Sequence, residues 1–105
     1  MNIFDIFIAH ISWGDSGKLR PVLILEKQET VIFVFCITAQ YENKSEAIRK
    51  KYFKIIDWQR AGLDKQSYVD TNAVRDIPPV ALDGKLKISK LTEYDVLRLI
   101  EFLEK

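Results

Sequence analysis

Residues 12–25, S-W-G-D-S-G-K-L-R-P-V-L-I-L, decide how the rest of the chain is read. Gly14 and Gly17 enclose Asp15 and Ser16 in a tight polar turn, because glycine reaches backbone angles closed to other residues and Asp or Ser bonds the turn's own amides. Residues 21–26, opening with the apolar run 21–25, then read as a strand. Pro21 stands at its first residue, where no ladder donor is needed. Lys18 and Arg20 fall where turn meets strand. A guanidinium held at the mouth of a rigid element, facing a loop, suits recognition of phosphate or carboxylate through its planar fork of donors. A surface ion pair, with the loop as a plain connection, accounts for the same residues.

Outward from this stretch the chain reads as short strands separated by turn signals. Residues 3–11 form a first strand, and 27–30 are a polar hairpin connection. His10 has no partner Asp or Ser at a recognisable spacing, so it reads as structural or solvated rather than as a general base. Seven consecutive apolar residues, 31–37, place the third strand (31–38) centrally with both faces covered, and Cys36 within it is expected to be a buried core thiol. Thr38 closes that strand as the chain turns polar, which makes its hydroxyl either a reproducibly placed site group or a strand-end cap. Residues 40–51 are a loop or a short solvated helix. Arg49, Lys50 and Lys51 are either a wet face or a surface that steers RNA, with Tyr41 available for base stacking.

A fourth strand is expected over 52–57, a turn over 58–63 ending at Gly62, and two short strands over 67–71 and 73–77. Pro78 and Pro79 end pairing there. Asp83-Gly84 marks a turn before a short strand at 85–88. Ser89 or Thr92 caps a final helix with Glu93 and Asp95 near its start, and its stripe of Val96, Leu99, Ile100 and Leu103 must cover something apolar, most simply the end of a barrel. The fold expected is mainly β, or α+β by count: a small, partly closed antiparallel barrel with a C-terminal helix.

The 105 residues, 48% of them hydrophobic, suffice for one domain spanning 1–105. Sixteen basic and fifteen acidic side chains leave a net charge of +1, so an anionic partner must be met by a local patch rather than an overall field. No apolar run approaches the roughly 20 residues of a membrane span, and the protein reads as cytoplasmic. One cysteine and one histidine give no disulfide and no metal-ligand spacing; no metal or other cofactor is expected. The glycines at 14 and 17 match neither the P-loop nor the dinucleotide fingerprint.

F-D-I-F-I-A, W-G-D-S-G-K-L-R-P-V-L-I-L, V-F-C-I-T-A-Q, I-D-W-Q-R-A-G-L-D-K-Q-S-Y-V, N-A-V-R-D-I and G-K-L-K-I-S-K-L-T-E-Y-D-V, in this order, resemble the PemK/MazF-like toxins of bacterial type II toxin-antitoxin systems over nearly the whole chain. R-P-V-L-I-L behind the glycine loop is the most specific part. The resemblance implies a Src-homology-3-like barrel, a homodimer, and a metal-independent, sequence-specific endoribonuclease (an mRNA interferase). It further implies an acidic antitoxin that neutralises the toxin, with the pair binding DNA. Arg20 matches the arginine of the R-P motif and Thr38 the Ser or Thr closing the third strand, the two positions the family uses most directly for cleavage. Arg75 matches a recurrent arginine, structural or RNA-contacting. Asn72 stands where several members have an Asp, and the loop histidine of some members is replaced by D-S-G-K.

Metal-free RNA cleavage uses the neighbouring 2′-hydroxyl as nucleophile, so the protein must align it, remove its proton, stabilise the phosphorane and protonate the departing oxygen. Arg20 suits the third task, and Thr38 can add a hydrogen bond to the same oxygens. Ser16, Lys18, Gln40, Asn72, Arg75, Arg49, Lys50 and Lys51 are the expected RNA guides. The alternative is a barrel without catalysis that binds nucleic acid or protein, motivated by Asn72 and the missing loop histidine.

Overall fold

A computed structural model describes residues 1–13 and 16–105, with side chains described except at 13, 16 and 83–88. Six strands alternate with two helices: β1 (Asp5–Trp13), β2 (Ser16–Lys27), β3 (Ile32–Thr38), α1 (Glu46–Arg49), β4 (Tyr52–Lys54), β5 (Tyr68–Ile77), β6 (Leu82–Lys90) and α2 (Glu93–Leu103). They pair antiparallel in one curled sheet of order β4-β5-β3-β2-β1-β6, the half-barrel with a C-terminal helix that the sequence led us to expect.

The apolar run of β3 is explained by cover on both faces. Phe35 and Ile37 enter a core with Ile6, Leu23, Phe53, Val69 and Leu99, while Ile32 and Val34 enter a second with Phe7, Ala9, Val22 and Ile24. Cys36 differs from expectation: it packs against the second core but is only half-buried.

Several boundaries moved for identifiable reasons. The first strand starts at Asp5 because Phe4 takes a left-handed φ of 68°, which turns the chain before pairing begins. β2 begins at Ser16, so Lys18 and Arg20 lie within the ladder, opposite Ile11 and Ala9, rather than at a strand mouth. The arms of this hairpin reach past the core, so polar residues belong there. At Gly17 an added Cβ would sit 3.0 Å from the Ile11 carbonyl oxygen and 3.4 Å from His10 Cε1. The turn expected around Gly14 and Asp15 lies outside the described residues. Pro21 is tolerated inside β2 because pairing to β3 ends at Val22–Cys36, which leaves β1 as its one neighbour there.

β4 ends at Lys54, not 57, because the Ile56 and Asp57 amides turn to the Asp95 carboxylate (3.2 and 2.8 Å). The two strands expected at 67–71 and 73–77 are one strand, β5, with an irregularity in its pairing. Asp83-Gly84 is not a turn; the reversal is made earlier, by a 3-10 turn over Pro79–Ala81, and β6 runs through both residues. Gly62, at φ 84°, ends the 58–63 turn as expected.

Thr92 caps α2, its Oγ1 accepting from the Asp95 amide at 3.4 Å. The inward stripe of α2 is Asp95, Leu99 and Phe102, with Val96 alongside. Ile100 and Leu103 are 40% and 44% exposed, so the apolar stripe expected from sequence is rotated. Counting apolar residues alone overlooks that a carboxylate anchors the buried face.

Candidate active site

Two departures from regular pairing open a cleft on the face of the sheet that carries the second core. β2 leaves β3 after Val22–Cys36, and on the other side of β3 the pairing jumps from Val34–Arg75 to Cys36–Asp70. One residue of β3 between these pairs thus opposes four of β5, 71–74, which bulge out of the ladder. The resulting cleft, about 260 Å³, is lined by Arg20 of β2, Cys36 and Thr38 of β3, Tyr52 of β4, Asp70, Ala73 and Arg75 of β5, and Gln40 and Lys44 of the following loop, with Ile11 at its base. Arg20, Thr38 and Gln40 also line a neighbouring cleft of about 270 Å³, which adds Lys18 and the segment 63–65.

Arg20 and Thr38, eighteen positions apart in sequence, therefore share a cavity. Thr38 Oγ1 accepts the Gln40 amide at 3.1 Å, so the strand-end cap is real; because accepting occupies a lone pair, the hydroxyl proton stays available to a ligand. Gln40 and Arg75 join them, and Lys18 stands in the adjoining cleft.

The remaining expected guides fall elsewhere. Asn72 is exposed on the displaced part of β5, where its side-chain amide donates to Asp70 Oδ1 (2.9 Å) and to the Ile48 carbonyl (3.3 Å), tying α1 to the strand. Arg49 lies 4.0 Å from Glu42 and over the Tyr41 ring, and the Lys51 carbonyl accepts from Thr71, so these residues and Lys50 border α1 rather than line the cleft. Tyr41 is stacked on Tyr68, centroids 4.4 Å apart, so one of its faces is already covered. The side chain of Ser16 is outside the described residues. His10 is exposed and lines a separate groove with Ser12, Asp76 and Pro78.

The sequence reading missed Asp70, Cys36, Tyr52 and Lys44 as cleft residues. The signal for Asp70 was present, a charge between apolar strand positions. Nothing local shows that β5 would bring it beside Arg20. Burial pushes the Cys36 thiol up against the opposing pull of Arg75 and Arg20, with Asp70 adding to the rise. Burial, aided by Asp70, likewise raises the Tyr52 phenol while Arg20 opposes it. Both groups therefore hold their protons at neutral pH. The cleft presents two guanidiniums, an ammonium, a thiol, a phenol and one carboxylate. Arginine forks beside a donor hydroxyl are a receptor for a tetrahedral anion.

No family model matches the chain, and no curated protein matches its sequence. Among solved structures it is similar to Mycobacterium tuberculosis toxin MazF-mt6, with a TM-score of 0.69 and 25% identity over 93% of this chain and 90% of that one. The fold is thus shared along almost the full length of both proteins, and this chain has the PemK/MazF-like toxin fold.

Proposed function

We propose that the chain is a toxin-antitoxin endoribonuclease that cuts single-stranded RNA without a metal, by attack of the 2′-hydroxyl on the adjacent phosphate. The observation that carries this reading is the joint presence of Arg20, Thr38 and Arg75 in one cleft of a MazF-like fold. Arg20 binds the non-bridging oxygens as charge grows on the phosphorane, and Thr38 donates to the same oxygens. Arg75 and Lys44 line the same cleft and hold neighbouring phosphates, while Gln40 and Lys18 meet the flanking nucleotides. A growth-arresting toxin of this kind works in the cytoplasm, as a homodimer, against an acidic antitoxin whose carboxylates compete for Arg20 and whose ordering depends on binding. The toxin–antitoxin pair then binds DNA.

Purified protein should cut single-stranded RNA in EDTA and leave a 2′,3′-cyclic phosphate and a 5′-hydroxyl. Arg20→Ala should lose roughly a hundredfold or more in rate, as removal of one transition-state donor does elsewhere. Cleavage that disappears with chelator, or survives Arg20→Ala at full rate, defeats the proposal. Asn72, in the position of a family Asp, favours a second reading in which the barrel binds RNA or protein without cutting; intact cellular RNA after induced expression would support it.

A further inference from the structure

We propose that Asp70, a residue outside the expected site, is the general base that takes the 2′-hydroxyl proton, an inference that rests on the ribonuclease reading above. Seven polar or titratable side chains other than Asp70's line the cleft, and none of them suits the role. Arg20 from β2 and Arg75 from β5 keep their protons in proteins and cannot act as bases. Cys36 from β3 and Tyr52 from β4 are held in their protonated forms by burial. Lys44 from the loop is a donor as the ammonium, and Thr38 and Gln40 are neutral. Asp70 is the one carboxylate among the described lining residues.

The local backbone places it for the role. Asp70 pairs across the sheet with Cys36, at the point where the β5 irregularity begins, and lines the same cleft as Thr38 and Arg20. The Asn72 backbone amide and side-chain amide both donate to Asp70 Oδ1, each at 2.9 Å. Two donors on one oxygen fix the plane of the carboxylate. Asn72 therefore serves the cleft by bonding to the group inside it, without lining the cleft itself.

The 2′-hydroxyl proton passes to an Asp70 oxygen, and the released O2′ electron pair forms the bond to phosphorus. The P–O5′ bond breaks with its pair on O5′, which takes a proton from water, and Asp70 returns its own proton to the solvent. The products are a 2′,3′-cyclic phosphate and a 5′-hydroxyl.

The test compares the full chain with Asp70→Asn and Asp70→Glu. Cleavage is measured in EDTA on a randomised single-stranded oligoribonucleotide pool, and binding on the same pool carrying 2′-O-methyl groups, which cannot react. Asp70→Asn should cut about a hundredfold or more slowly, the usual contribution of a general base, while binding the methylated pool at least as well, since a negative charge leaves a phosphate cleft. Asp70→Glu, which keeps a carboxylate in the cleft, should restore part of the cleavage that Asp70→Asn loses. An Asp70→Asn rate within about threefold of the unaltered protein, or equal losses of cleavage and binding, overturns the assignment. If the unaltered chain cuts no RNA, the ribonuclease reading fails and takes this inference with it. A cutting chain indifferent to Asp70 defeats the inference alone.

Discussion

Replacing Asp95 by alanine should destabilise the protein more than any comparable change of a charged residue on α2. Asp95 is fully buried. Its carboxylate accepts from the Ile56 amide at 3.2 Å, the Asp57 amide at 2.8 Å and Arg98 Nη1 at 2.7 Å. Alanine leaves two backbone donors without their acceptor, at about 1–3 kcal/mol each, although water reaching the partly buried site recovers some of that. Arg98 is one-third exposed, keeps its bond to the Lys54 carbonyl and stays over the Phe53 ring, so loss of that ion pair adds little. The sum is about 3 kcal/mol, which in a domain of this size lowers Tm by roughly 12–24 °C. Equilibrium urea unfolding followed by tryptophan fluorescence measures it, because Trp58 directly follows the segment that Asp95 holds. Asp95→Asn keeps the shape and one acceptor and should cost visibly less. A loss below about 0.5 kcal/mol for Asp95→Ala, the range of an ordinary surface substitution, would refute the view that this carboxylate joins α2 to the sheet. The consequence reaches the site: the turn beginning at Asp57 leads to residues 63–65 beside Arg20.

Gly62→Ala should cost about 1–2 kcal/mol in the same assay, because at φ 84° a Cβ meets the left-handed penalty; no loss would mean that the turn relaxes freely. Cys36 should react slowly with iodoacetamide at pH 8, and its alkylation midpoint should lie above that of an ordinary thiol, since burial raises its pKa and the thiolate forms only at higher pH. Arg75→Ala, which removes the largest opposing pull, should move that midpoint higher still. A midpoint below the ordinary value, or one lowered by Arg75→Ala, contradicts the described environment.

The β3 apolar run, the Thr92 cap and the Gly62 stop were legible because each follows from neighbours in the chain: composition on both faces, a side-chain oxygen three residues before an amide, a residue that tolerates positive φ. Arg20 and Thr38 were legible as candidates for the same kind of reason, one following the glycine loop and the other closing an apolar strand. Their meeting was not, since it depends on where β2 parts from β3.

By itself the sequence determined the antiparallel β character and the terminal helix, and it singled out Arg20 and Thr38 as candidates, because periodicity, turn chemistry and capping act over a few residues. Only the tertiary structure decided that Asp70, Tyr52 and Arg75 face Arg20, that Asn72 and the 49–51 run lie outside the cleft, and that α2 buries Asp95 in place of Ile100. Those outcomes depend on pairing register and on which backbone amides need an acceptor, and both are settled between segments far apart in the chain.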